Sequence, residues 1–222
     1  RFIKDAMRLR DVSPSPKGLL THPAMTVECI YVPLMMAASK AGDPRLKGKI
    51  REFGLSNETA WGTIRWRDRA RAGGLPVMET VQNEVSLLCR HVDTDLAEVL
   101  AMEGVAMLAF SPLGAGLLTG KYQGGAIPPG SRKALNGDLG GRAAPRVEAA
   151  VAAYLALAAD HGMDPLHMAL AWHRTRPFTC IPIVGATTAG QLARSLAGAE
   201  AQVSPELAQA IDAVHRQHPM PF

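Results

Sequence analysis

Between Ser111 and Lys121 the chain reads SPLGAGLLTGK, a set of residue types that suits an anion. Gly114, Gly116 and Gly120 allow close backbone approach, backbone N–H groups can donate to a ligand's oxygens, and Lys121 adds a cation. Phosphate or pyrophosphate fits such a loop, and an ordinary glycine-rich strand-to-helix connection is the plainer alternative. The apolar run 105–110 in front of it predicts a strand covered on both faces. Gly114-Ala115-Gly116 also begins like the G-x-G-x-x-G fingerprint. Its third glycine falls one place late, though, and residues 122–141 read as loop rather than helix. A Rossmann fold is therefore rejected, and Asp138 is not its ribose-binding acid.

Other candidates for chemistry are weaker. Glu84 is a conceivable general acid, and His91, His161, His167, His173, His215 and His218 conceivable bases, but none stands beside a recognisable partner in the sequence. They read as surface or packing residues. Cys29, Cys89 and Cys180 are odd in number, far apart and without C-x-x-C spacing, so neither a disulfide framework nor a metal site is expected. A reducing compartment, by default the cytoplasm, follows.

The elements that must position the loop can be read from composition and punctuation. The chain has 222 residues, 47% of them hydrophobic, which is enough for a sizeable core. No window reaches the roughly 18 uninterrupted apolar residues of a membrane span. The net charge of +4 is uneven: residues 1–71 hold 14 Lys and Arg against 7 Asp and Glu, and 72–222 hold 10 against 13. The front cations, in RLRD, RLKGKIRE and RWRDRAR, lack interleaved aromatics and read as a solvated face, not a nucleic-acid surface. Residues 1–47 contain loop-like SPSPKG and AGDPRLKG and no visible site. From Lys49 on, strands near 50–55, 77–82, 105–110 and 180–184 alternate with helices near 58–72, 93–103, 144–161, 165–175, 189–198 and 205–218, which implies a parallel sheet. Asn57 is a cap for the first helix, Asp164-Pro165 and Ser204-Pro205 open two others, and Gly73-Gly74 and Gly162 close two. Residues 121–143 form a long crossing loop.

The stretches KIREFGLSN (49–57), VQNEVSLL (81–88), LAFSPLGAGLLTGKY (108–122), PPGSR (128–132) and IPIVGATTAGQL (181–192) resemble, in order and spacing, the second half of an aldo-keto reductase. Within that family they are most similar to the branch of bacterial aldo-keto reductases and potassium-channel beta subunits. The resemblance covers roughly residues 48–218. It implies a partial (β/α)8 TIM barrel, its four strands corresponding to strands five to eight. The family's cofactor is NADPH, sometimes NADH, and its reaction is hydride transfer to an aldehyde or ketone.

Residue by residue, the resemblance assigns Ser56, Asn57 and Gln82 to the nicotinamide carboxamide, whose donor and acceptor such polar side chains can match. Phe110 takes the position that stacks on the nicotinamide ring, and Ser111, Pro112, Leu113 and Gly114 the loop around the pyrophosphate. Lys121 and Arg132 match basic positions that clamp the phosphates and would favour NADP(H) over NAD(H). Gly185, Thr187 and Gln191 match the adenosine-phosphate end, at a helix start that favours phosphate. The family usually has Glu then Asn for the adenine; here Arg194 and Ser195 stand there, and Arg194 could reach a phosphate. Each position also has a plain reading, as cap, core or satisfied polar group; in register they favour a cofactor site.

The resemblance implies no catalytic residue within this chain. The family's tyrosine, lysine, aspartate and histidine belong to the first four strands, and neither Tyr31 nor His22 lies in such a motif. Four strands also cannot close an eight-stranded barrel. A missing N-terminal half is the expectation, with a homodimer of half-barrels or cover by residues 1–47 as alternatives. Two functions follow: a carbonyl oxidoreductase represented by its cofactor-binding half (48–222, after an extension at 1–47), or a non-catalytic NADP(H)-binding module that regulates a partner.

Overall fold

The computed structural model describes residues 54–74 and 76–222. In chain order the elements are β1 (Gly54–Ser56), α1 (Ala60–Ala72), β2 (Thr80–Glu84), α2 (Leu96–Glu103), β3 (Ala106–Phe110), α3 (Arg132–Asn136), α4 (Pro145–Asp160), α5 (Pro165–Trp172), β4 (Cys180–Pro182), α6 (Ala189–Ala197) and α7 (Pro205–Gln217). The strands form one sheet in the order β1-β2-β3-β4, so the alternation in the sequence builds an α/β fold with consecutive strands as neighbours. The boundary expected at 47/48 lies outside the described residues. Those residues fall into two compact units, 54–83 with Leu96–Met107, and Glu84–Asp95 with Leu108–Phe222.

In the first unit β1 and β2 run parallel, with Leu55 opposite Val81 and Ser56 opposite Gln82. Gly54 must be glycine here, because a Cβ would lie 2.1 Å from Thr80 Oγ1. The cap of α1 is Thr59, not Asn57 as the sequence suggested: Thr59 is extended and its hydroxyl accepts from Gly62 N at 3.0 Å. Asn57, at φ +52°, has left the extended region that a capping residue occupies. The RWRDRAR stretch is not wholly a solvated face either. Arg67 is buried; its Nε donates to Glu103 Oε2 at 2.9 Å, one Nη to the Glu103 carbonyl at 3.0 Å and the other to the Met78 carbonyl at 2.7 Å. It ties α1 to the end of α2 and to the approach to β2.

In the second unit α4, α5 and α7 carry the core, with Tyr154, Met168, Trp172 and Ile211 almost wholly buried. Asp164 and Ser204 cap α5 and α7 as expected: each side chain accepts a backbone N–H, from Leu166 and Leu207, and each is followed by proline. Gly162, at φ +58°, follows the end of α4. Two expectations need correction. β3 is covered unequally, with Met107 and Ala109 fully buried on one face and Ala106, Leu108 and Phe110 only half-buried on the other. Residues 121–143 are not simple loop: Ser131 accepts from Ala134 N and starts the short helix α3.

Candidate cofactor site

The end of β1 and the middle of β2 bring together the three residues assigned to an amide. Ser56 ends β1 and pairs in register with Gln82, Asn57 N donates to the Gln82 carbonyl at 2.9 Å, and Asn57 Nδ2 lies 3.3 Å from Ser56 Oγ. All three are half-buried. Asn83, which the sequence reading passed over, holds this corner: its Oδ1 accepts from Glu58 N at 3.1 Å and its Nδ2 donates to the Glu58 carbonyl at 2.9 Å. The signal available was its place immediately after Gln82.

The second unit contains the glycine loop, and its backbone is preset. Ser111, Gly114, Ala115, Gly116 and Gly120 all have positive φ, from 51° to 93°. Non-glycine residues in that region cost free energy and are held there by their surroundings. Gly114 N donates to the Ser111 carbonyl at 2.8 Å, and Gly116 N to that of Leu113 at 3.0 Å. Pro112 and Gly114 are buried, and a Cβ on Gly114 would meet Leu88 at 2.9 Å. Gly116 needs glycine for its φ of +93°. A Cβ there would lie 2.8 Å from Lys121 Cε and 2.9 Å from its Nζ, so the ammonium lies back against the loop. Lys121 Nζ is also 5.1 Å from the centre of the Tyr122 ring. Phe110, at the end of β3, is half-buried, and its carbonyl accepts from Val85 N at 3.3 Å.

Arg132 is exposed at the start of α3. Beside it Lys133, absent from the sequence reading, places its Nζ 5.8 Å from the same Tyr122 ring. At the far end of this unit, Thr187 N and Oγ1 donate to Gln191 Oε1 at 2.9 and 3.0 Å, and Thr188 caps α6. Gly185, Thr187 and Gln191 are exposed, and nothing lies within 4 Å of where a Gly185 Cβ would be. Arg194 does not extend toward this end: it donates twice to Asp164, from Nε and Nη2, at 2.8 Å each. That bond holds the Asp164 carboxyl below the usual carboxylate range. Ser195 is buried and its hydroxyl donates to the Gln191 carbonyl at 3.0 Å.

The remaining candidates have structural partners. Glu84, expected to stand alone, receives Arg142, whose Nη2 donates to both carboxylate oxygens at 2.6 and 2.5 Å. His173 is fully buried between the Ala169 and Val85 carbonyls, 2.9 and 3.1 Å from its ring nitrogens, and burial holds its pKa below the ordinary histidine value. His167 Nε2 bonds the Arg194 carbonyl at 2.8 Å. Burial pushes the Cys89 and Cys180 thiols up to about 11 and about 12, which keeps them protonated and poor nucleophiles. Among the described residues no group of three or more His, Cys, Asp or Glu could hold a metal, and no helix is long and apolar enough to cross a membrane.

Four strands that neighbour one another in chain order and alternate with helices place the chain in the α/β class. Comparison with known proteins narrows this. The family model described as "Aldo/keto reductase family" matches residues 24–216, and the chain belongs to that family. The match begins inside the stretch 1–47 that carried no readable motif. Over 174 residues, 78% of this chain and 50% of the relative, it is 43% identical to "Protein tas" of Escherichia coli (strain K12). It is 36% identical over 163 residues to the "Aldo-keto reductase" of Babesia bovis, covering 68% of this chain and 55% of that protein. It is 32% identical over 151 residues to the "Probable voltage-gated potassium channel subunit beta" of Arabidopsis thaliana, covering 61% and 45%. The chain thus spans about half the length of the curated relatives it matches.

Proposed function

We propose that residues 54–222 are the cofactor-holding part of an oxidoreductase that reduces aldehydes or ketones with NADP(H) in preference to NAD(H). The observation that carries this reading is Lys121: its ammonium lies against the left-handed glycine loop, in the space a side chain at Gly116 would fill. That geometry fits an anion, and the polar set Ser56, Asn57 and Gln82 fits an amide; a nicotinamide dinucleotide has both. In this reading Phe110 stacks on the nicotinamide ring, and Ser111, Pro112, Leu113 and Gly114 border the pyrophosphate. Lys121 and Arg132 supply the cations, and Gly185, Thr187 and Gln191 face the adenosine phosphate. The bound cofactor supplies the hydride; these residues bind and orient it. Arg194 has no part, because Asp164 holds it.

The four strands take the places of barrel strands five to eight. The proton donor comes from elsewhere, because neither tyrosine of the described residues suits the task. Tyr154 is buried with its pKa driven upward by that burial, and Tyr122 is buried with its hydroxyl taken by the Lys133 N–H. Those two tyrosines also support the second reading, in which this chain by itself is a nucleotide-binding module without catalysis. Closure of the barrel by the half that precedes these strands in the family is favoured over pairing of two copies, and either arrangement leaves the assignments above unchanged.

The test is a titration of the purified chain with NADPH, followed by intrinsic fluorescence and thermal melting, with Lys121→Ala and Arg132→Ala alongside. Saturable binding that both substitutions weaken is expected. A folded chain that does not bind NADPH would remove the cofactor assignment and leave family membership alone.

A further inference from the structure

Asn83 touches the chain where two of the amide-binding residues stand, but from the other side of the sheet. β2 spans Thr80–Glu84, and alternation along a strand sends the Gln82 and Asn83 side chains to opposite faces, Asn83 sharing the face of fully buried Val81. Asn83 therefore does not join Gln82 at a common ligand. It reaches across to the chain that leaves β1, where its Oδ1 accepts from Glu58 N at 3.1 Å and its Nδ2 donates to the Glu58 carbonyl at 2.9 Å. A peptide N–H only donates and a carbonyl only accepts, so the two bonds also fix which way round the amide lies. The ladder between the strands ends with Ser56 opposite Gln82. Beyond it the Asn83 side chain stands in for a strand residue and satisfies both backbone groups of residue 58.

Asn57 lies between these bonds. Its own N–H donates to the Gln82 carbonyl at 2.9 Å, and the next N–H along, that of Glu58, is the one Asn83 accepts. Gln82 thus fixes the near side of residue 57 and Asn83 the far side. That double hold has work to do, because Asn57 has φ +52°. The left-handed region costs free energy for a residue with a Cβ, and such a residue stays there only where its surroundings impose it. In this conformation Asn57 Nδ2 lies 3.3 Å from Ser56 Oγ, so the two side chains present one polar surface.

We infer that Asn83 is a positioning residue for the nicotinamide end of the site: it holds Asn57 in the left-handed conformation and so keeps the Ser56 and Asn57 side chains together before the ligand arrives. The inference rests on the cofactor reading above and adds to it a residue that makes no contact with the cofactor. Without Asn83, residue 57 relaxes toward negative φ and its side chain leaves Ser56. Reordering that side chain on binding then lowers affinity for the amide group, and for nothing else in the cofactor.

The experiment is a fluorescence titration of the full chain with NADPH and with 2′,5′-ADP, which lacks the nicotinamide. It is run on wild type, Asn83→Ala, Asn57→Gly and the double variant, below the ligand-free melting temperature of each. Glycine adopts the left-handed conformation unaided, so Asn57→Gly keeps the backbone and removes the side chain that Asn83 positions. Asn83→Ala should weaken NADPH about five- to tenfold and 2′,5′-ADP less than about twofold. In the Asn57→Gly background Asn83→Ala should weaken NADPH by less than about a further twofold, since a residue that acts through Asn57 has nothing left to act on. If Asn83→Ala does not fold, Asn83→Asp, which keeps the acceptor for Glu58 N and loses the donor, carries the same comparison as a ratio of the two affinities. Equal weakening of NADPH and 2′,5′-ADP would overturn the inference, because it would mark a general structural role. The same loss of NADPH affinity with and without the Asn57 side chain would overturn it as well. Wild-type binding of NADPH with no effect of Asn83→Ala would overturn this inference and leave the cofactor reading intact. No binding of NADPH by the folded wild type would overturn both.

Discussion

Arg90 and Arg176 lie at the centre of the second unit, Lys121 and Lys133 at its glycine loop, and the two pairs treat an aromatic ring alike but differ in everything else. Arg90 and Arg176 sit over Trp172, 5.1 and 4.4 Å from its centre. Both end on Asp93, Arg90 Nε at 2.7 Å and Arg176 Nη1 at 3.0 Å, and Arg90 reaches Asp212 at 2.7 Å as well. Lys121 and Lys133 sit over Tyr122 and end on no carboxylate of the described residues. The first arrangement balances two guanidinium groups with two carboxylates, although Arg176 Nε is buried without a hydrogen-bond partner, and it holds the loop at 90–93 against α5 and α7. The second has no carboxylate among the described residues, and in the proposed function a phosphate supplies that charge. Stability should therefore depend on the first pair and ligand affinity on the second.

The largest effect should come from breaking the completed set. Arg90→Ala takes one guanidinium from Asp212 and leaves Asp93 with Arg176 alone, uncovers Trp172, and should lower stability by about 2–3 kcal/mol in urea unfolding. A loss under about 1 kcal/mol would mean that this network does not hold the core. Lys121→Ala should do the opposite: ligand-free stability within about 0.5 kcal/mol of wild type, and NADPH affinity down by about 10- to 100-fold, at about 1.5–3 kcal/mol for a charged hydrogen bond.

Acid sharpens the same contrast. Burial depresses the pKa of His173 and, with Arg90 nearby, that of His215, so both are neutral in the folded protein at a pH where the unfolded chain binds protons. Their contribution to stability is fully present above the unfolded histidine value of about 6.5 and is lost as pH falls through the folded values. Melting temperature should decline below about pH 6.5, equally in wild type and Lys121→Ala. A flat profile between pH 7.5 and 5 would contradict the burial of these rings. The smallest effect belongs to Asp164→Asn, which keeps the cap on Leu166 N but removes the exposed pair with Arg194. Its cost should be about 0–1 kcal/mol in the same unfolding assay. If Asp164→Asn instead strengthens NADPH binding, the freed Arg194 has reached a phosphate.

Much of this was legible in the sequence where the signal is local. Asp164-Pro165 and Ser204-Pro205 mark helix starts because cap and proline act within one turn; the glycines suggested close backbone approach, but not the left-handed conformation that Ser111 and Ala115 share with them. Local signals also mislead when two candidates lie side by side: Asn57 and Thr59 both suit a cap, and only the left-handed conformation of Asn57 decides between them. The short helix α3 was hidden because five residues carry no apolar period, and with it went the neighbourhood of Lys133 and Tyr122. Partnerships were least legible. Arg67 meets Glu103 across 36 positions, Arg142 meets Glu84 across 58 and Arg90 meets Asp212 across 122, and no spacing rule links such residues before the chain has folded. Glu84 read as a lone acid for that reason, and Arg194 as a spare cation.

The division between completed and waiting cations is tested most directly by unfolding wild type, Lys121→Ala and Arg90→Ala with and without saturating NADPH. The account predicts that Lys121→Ala melts with wild type when ligand is absent and gains clearly less from NADPH, whereas the portion of Arg90→Ala that remains folded starts low and gains as much as wild type. Equal NADPH shifts in wild type and Lys121→Ala, or a Lys121→Ala chain as unstable as Arg90→Ala, would contradict it.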